Sequence, residues 1–264
     1  MTKSQKELAF LRDLYVGKEW TGRITDLVDK HVRFTDLENL LYINAGTGDH
    51  VFAIRDKIGD ETAVFATCEN EEILKIARDK AAAVAADVDF SMIRFENDVF
   101  DAVIADASFV ENGELPEFID DALRVVKPGG TLAAIVITSG SFGEIFSLLW
   151  EVLFNEDLGE HGAAAEKLIA DQQTVSAVEK MAESAGLVNI KTHTAVENFE
   201  FENGAAFVSS PLVADFLLPD WLASLSDDEK ERVTEKLAQL IDAEDADLTF
   251  LFSVKAMLLM GEKI

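Results

Sequence analysis

The chain has 264 residues, 48% of them hydrophobic, enough to build the core of one large α/β domain. Its formal net charge of -27 opposes binding to nucleic acid or an anionic membrane, because a long-range negative field repels phosphate, whereas a small or cationic ligand stays compatible. A single cysteine, Cys68, precludes an internal disulfide, no Cys/His cluster has metal spacing and no apolar run is long enough to span a bilayer.

The start is polar (Lys3, Lys6, Glu7) and does not read as a leader, so a cytoplasmic protein is expected. Residues 4–33 read as one or two amphipathic helices, with Leu8, Leu11, Leu14 and Tyr15, then Ile24, Leu27, Val28 and His31, at helical spacing. Leu40–Ile43 is a short apolar strand that runs into the turn Asn44-Ala45-Gly46-Thr47-Gly48 and then a helix. A second strand, Ala63–Thr67, leads to a helix capped by Asn70, with Glu71 and Glu72 in its first turn. Val88–Ile93 and Phe100–Ala105 are the third and fourth strands, and a helix over about 116–126 follows. Lys127-Pro128-Gly129-Gly130 forms a turn in which Gly129 takes positive φ, and Thr131–Thr138 is the fifth strand. This alternation predicts a doubly wound, mostly parallel sheet with helices on both faces.

Further on, 142–154 and 174–184 are helices, the second closed by Gly186, and Leu187–Val196 is a strand. Ser226 to Glu229 is a capping box that opens a helix to about Ile241, and Thr249–Met260 is the last strand. Neither a repeat nor a flexible linker divides the chain, so one domain is expected: an N-terminal helical lid (1–36), a core (37–196), a cap insertion (197–248) and the last strand (249–264).

Four segments in order resemble the class I S-adenosylmethionine-dependent methyltransferases, particularly those acting on small molecules. Leu41 to Gly48 is similar to the family's glycine loop, and Thr67 to Arg78 to its second strand end and helix. Arg94 to Asp101 resembles the turn into the fourth strand, and Ala122 to Leu132 is the most specific match. The resemblance covers roughly Leu40 to Val196. It implies a seven-stranded, Rossmann-like sheet with an antiparallel last strand, S-adenosylmethionine as cofactor, and a site beyond the carboxyl ends of the strands where strand order reverses. On that reading Asn44, Ala45, Gly46, Gly48, Cys68, Glu69, Met92 and Asp106 contact the cofactor. Gly46 and Gly48 let the backbone approach closely, and Glu69 grips the ribose hydroxyls. The chain departs from the family at Tyr42, which stands where an acid is usual, at Asn44, which replaces the first glycine, and at Cys68, which takes the ribose acid's place with Glu69 one residue late. Only Ser91, Met92 and Ile93 remain to line the adenine wall. These changes predict micromolar or weaker cofactor affinity.

Each candidate has a plainer alternative. Gly46-Thr47-Gly48 is either a cofactor loop or just a tight turn; a nicotinamide site would want a third glycine where Val51 stands. Cys68 is a contact or a small buried hydrophobe, and Glu69 a ribose ligand or a helix-start acid. Asp106, with Ser108 beside it, is a catalytic candidate or a cap. His161, in Gly159-Glu160-His161-Gly162, is the other catalytic candidate or a surface histidine. His50 is expected to touch ligand or solvent, His193 to be structural, and His31 to lie on the lid. Phe199, Phe201, Phe207, Phe216 and Trp221 form the core of the cap or an apolar pocket. The expected function is methyl transfer from S-adenosylmethionine to a small molecule without a metal; the alternative is a non-catalytic, methyltransferase-like binding or regulatory protein.

Overall fold

The computed structural model describes residues 3–244 and 249–264, apart from the side chain of Glu244; the end of the expected cap, 245–248, lies outside the described residues. In chain order the elements are α1 Gln5–Leu11, a π-helical segment Arg12–Thr21, α2 Gly22–Ile24, α3 Asp26–His31, β1 Asn39–Ile43, α4 Asp49–Arg55, β2 Ala63–Thr67, α5 Glu71–Val84, β3 Asp89–Ser91, β4 Phe100–Asp106, α6 Leu115–Val125 and β5 Val126–Ile137. There follow α7 Gly143–Asn155, a 3₁₀ turn Gly159–His161, α8 Gly162–Ala170, α9 Val175–Ala185, β6 Leu187–Phe201, α10 Gly204–Ser209, a π-helical turn Val213–Leu217, α11 Leu218–Trp221, α12 Asp227–Glu244 and β7 Phe250–Lys263. The seven strands form one sheet in the order β3-β2-β1-β4-β5-β7-β6. The chain divides into two compact units, residues 1–137, 173–195 and 256–264, and residues 138–172 and 196–255.

In the first unit β1 pairs in parallel with β2 on one side and β4 on the other, Leu41 facing both Phe65 and Val103. Strand order therefore reverses at β1, and the crevice beyond its carboxyl end is where an α/β sheet binds ligands. β7 runs antiparallel to β5, from Thr131 opposite Glu262 to Ile137 opposite Ala256. Leu41, Val103, Leu132 and Ala134 pack on Ile119, Ala122 and Leu123 of α6 and on Val178 and Ala182 of α9. Asn70 caps α5 by accepting the Glu72 and Ile73 amides, and Thr174 and Gly186 close the two ends of α9.

Several boundaries differ from the sequence reading. β3 is only Asp89–Ser91, because this edge strand finds just three partners on β2. Val126 already pairs with Phe100, so the Lys127–Gly130 turn is a bulge inside β5; Gly129 has φ 78° there, and the Lys127 ammonium donates to Asp101 at 2.7 Å. Near the N-terminus the buried stripe is Ala9, Val16, Trp20 and Ile24, while Leu14 is exposed. The wider π-helical turn rotates the buried face away from the positions that an α-helical period selects.

In the second unit α7 buries Ile145, Phe146, Leu149 and Leu153. Phe142 and Phe146 meet the Trp221 ring at 5.2 and 5.3 Å, and Phe199 stacks on Phe252 at 5.0 Å. At the start of α12 Glu229 Oε2 accepts from both the Ser226 amide and the Ser226 hydroxyl, at 2.8 and 2.6 Å, and β6 continues to Phe201, beyond the expected end at Val196.

Candidate functional site

The site belongs to the first unit and starts where β1 leaves the sheet. Asn44 has φ 57°, Gly46 φ 55° and Gly48 φ 96°, so the loop passes three times through the left-handed region before α4. Asn44 tolerates that conformation and also ties two strand ends together: its side-chain amide donates to the Asp106 carbonyl at 3.2 Å. The Ala45 amide donates to the Thr67 carbonyl at 2.8 Å, which fixes the loop to the end of β2. At Gly48 a Cβ would come within 2.8 Å of both the Phe52 and Phe90 rings.

Cys68 is buried after β2, and its thiol donates to the Gly46 carbonyl at 3.4 Å. Burial, with the Glu69 carboxylate adding to it, pushes the thiol up to about 12. Glu69 is ion-paired through Oε1 to the Arg12 guanidinium, while its Oε2 is buried without a hydrogen-bond partner. Asp106 ends β4, buried, and accepts the Ser108 amide at 2.8 Å. Burial raises its pKa above the ordinary carboxylate value, although Ser108 and Arg12 oppose the shift.

Tyr42 does not face the loop's ligand side. Its hydroxyl lies 2.9 Å from His50 Nδ1, and His50 Nε2 lies 3.5 Å from Asp29, which in turn accepts from Lys57 at 2.6 Å. The network assigns the ring proton to Nε2, so that Nδ1 accepts from the phenol. Burial lowers the His50 pKa despite the Asp29 carboxylate. A hydrogen-bonded chain that ends in the Asp29–Lys57 ion pair thus involves the residue at the family's acid position, and His50 is a buried member of it.

Two hollows flank the glycine loop. A cleft of about 750 Å³ is lined by Asn44, Cys68, Met92, Ile93 and Phe95 among others. Met92 and Ile93 thus line this cleft, and Ser91 is buried with an unpartnered hydroxyl. The second hollow, of only about 10 Å³, lies between Gly46, Thr47, Gly48, His50 and Asp106 on one side and Arg12, Gly17 and Thr21 on the other. The π-helical segment roofs it: Trp20 donates to Ser108 Oγ at 3.1 Å and packs on Phe109, and Lys80 bridges Asp13 and Asp49 at 2.7 and 2.5 Å. His161 lies in the second unit and lines neither hollow. His31 stacks on His193, ring centroids 3.6 Å apart. Arg12, Trp20 and Phe109 carry no sequence signal, because their partners lie far away along the chain.

Strand order, the glycine loop at the switch point and the antiparallel last strand define the Rossmann-like fold of the class I S-adenosylmethionine-dependent methyltransferases. The chain belongs to the ubiE/COQ5 methyltransferase family, which it matches over residues 13–203. No curated protein matches it. Among solved structures it is similar to the YcgJ protein of Bacillus subtilis, with 13% identity and TM-score 0.59 over 92% of this chain and 98% of the other. It is also similar to a phosphoethanolamine N-methyltransferase of Haemonchus contortus bound to phosphomonomethylethanolamine and S-adenosylhomocysteine, with 14% identity and TM-score 0.56 over 100% of this chain and 59% of the other. A third likeness is the cyclase SpnF, with 17% identity and TM-score 0.52 over 92% and 80% of the two chains. A cyclase on the same fold shows that architecture alone leaves the reaction open, whereas the family match makes this chain a methyltransferase.

The residues present fit the cofactor. Glu69 Oε2 is a buried acceptor without a donor, which a ribose hydroxyl would satisfy, and at Gly46 only the Arg12 guanidinium comes near the position of a Cβ.

Proposed function

We propose that this methyltransferase acts on a small molecule and not on nucleic acid, with Asn44, Ala45, Gly46, Gly48, Cys68, Glu69, Met92 and Asp106 forming its cofactor seat. The observation that carries the reading is the roof. Arg12 and Trp20 are held against Glu69 and Ser108 at the ends of β2 and β4, and the hollow they cover beside the glycine loop is only about 10 Å³, which supports a small acceptor over a polymer. The net charge of -27 points the same way. The cofactor supplies an electrophilic methyl group; the chain's own residues orient the acceptor and exclude water. Asp106, buried with its pKa raised, is the group best suited to hold or accept an acceptor proton, and His161 is the second candidate. The lone free cysteine accords with a cytoplasmic location.

Incubation with methyl-labelled cofactor and a metabolite extract, then with RNA and DNA, tests the reading. Label in a small-molecule fraction supports it, and label in nucleic acid sinks it. Binding without transfer to any fraction would instead favour a binding protein. Asp106→Asn and His161→Ala, compared for turnover at saturating S-adenosylmethionine, decide which residue assists.

A further inference from the structure

Arg12 sits where a bound cofactor has to be. Its guanidinium holds Glu69 Oε1, half of the carboxylate assigned above to the ribose, and leaves the buried Oε2 with no partner. A carboxylate that grips a vicinal diol uses both oxygens, and because each oxygen has a second lone pair the conflict with Arg12 is one of space at Oε1 and not of acceptor number. Arg12 also takes up space. It lines the hollow over the glycine loop, which is left with about 10 Å³, room for about one water. A Cβ built on Gly46 would lie 3.6 Å from Arg12 Nε, so the guanidinium rests against the backbone that the glycine leaves bare.

We propose that Arg12 is an internal occupant of the cofactor seat, so that the N-terminal segment and the cofactor compete for Glu69. This inference rests on the ribose assignment of Glu69. Charge explains why an arginine fills the seat when the cofactor is away. Glu69 and Asp106 are carboxylates in a partly closed site, and a cation between them offsets their mutual repulsion. The guanidinium also lies over the Phe109 ring, 5.2 Å from its centroid.

The ends of the segment are held unequally. Trp20 is fully buried and bonded to Ser108, whereas around Arg12 the segment is held by buried Ala9 and by the Asp13–Lys80 ion pair, with Phe10 50% and Leu14 62% exposed. The Arg12 end is therefore the part that yields. It begins a π-helical stretch, a rare conformation that is frequent at functional sites. Cofactor binding thereby becomes a switch: the ribose takes Glu69, Arg12 swings out, and the residues around it loosen while the Trp20 end stays seated.

Calorimetric titration with S-adenosylhomocysteine tests this on the full chain. Arg12→Met removes the competitor and should tighten binding about tenfold, the worth of one charge-assisted hydrogen bond. In a Glu69→Ala background the same substitution should gain nothing. Unchanged or weaker binding by Arg12→Met overturns the proposal while the ribose assignment stands. Unchanged binding by Glu69→Ala overturns both. Hydrogen exchange of the wild-type protein gives an independent readout: amides of residues 8–14 should exchange faster with ligand bound. Slower exchange there would mean that the segment closes on the cofactor, and the proposal falls.

Discussion

The two glycines of the loop after β1 serve different purposes, and an alanine at each separates them. At Gly48 φ is 96°, and a Cβ would meet both Phe52 and Phe90 at 2.8 Å, within rings packed edge to face at 5.6 Å. A non-glycine residue in left-handed backbone costs about 1–2 kcal/mol. Forcing a methyl group between two packed rings costs about 1–3 kcal/mol more. Gly48→Ala should therefore lose about 2–5 kcal/mol of stability, equivalent to roughly 4–20 °C in Tm for a chain of this size. At Gly46 φ is 55°, well inside the left-handed region, and the nearest atom, Arg12 Nε, is an ordinary 3.6 Å away. Gly46→Ala should lose only the backbone strain, about 1–2 kcal/mol. Urea unfolding followed by circular dichroism measures both. Equal losses, or a larger loss at Gly46, would refute the steric account of Gly48.

The remaining predictions concern charge and the cofactor. Glu69→Ala should weaken S-adenosylhomocysteine binding by about 1–3 kcal/mol, whereas Asp49→Ala, which removes only a partner of Lys80, should not; equal effects would point to general electrostatics. Cys68, its thiol pushed up to about 12, should resist iodoacetamide at a pH of about 8 until the protein is unfolded in urea, and rapid native alkylation would contradict its burial. The His50 pKa lies below its ordinary 6.5, so the folded state prefers the neutral ring; stability should be full above that value and fall as pH drops below it. His50→Gln should remove this part of the slope, at most about 1.4 kcal/mol per pH unit, and an unchanged slope between neutral and mildly acidic pH would assign it elsewhere, with His31 next in line.

What the sequence determined by itself is local. The glycine loop, the Asn70 and Thr174 caps, Gly129 in its turn and Gly186 at the end of α9 each follow from the backbone preference of one residue and its near neighbours. The strand–helix rhythm determined the parallel sheet, because each apolar run must be buried on both faces. Asn44 shows how far such reading reaches: its tolerance of positive φ was legible, but its bond to the Asp106 carbonyl was not. The pairs that give the site its present state span long stretches of chain: Arg12 with Glu69, Trp20 with Ser108, Lys80 with Asp13. The role of Tyr42 likewise depended on where His50 and Asp29 came to rest, which turned an apparent loss of the family's acid into a buried hydrogen-bonded chain. Only the tertiary structure decided these contacts. A side chain's spacing along one element fixes which face it takes, but its partner depends on how distant elements pack, and in the N-terminal segment one π-helical turn was enough to move that face.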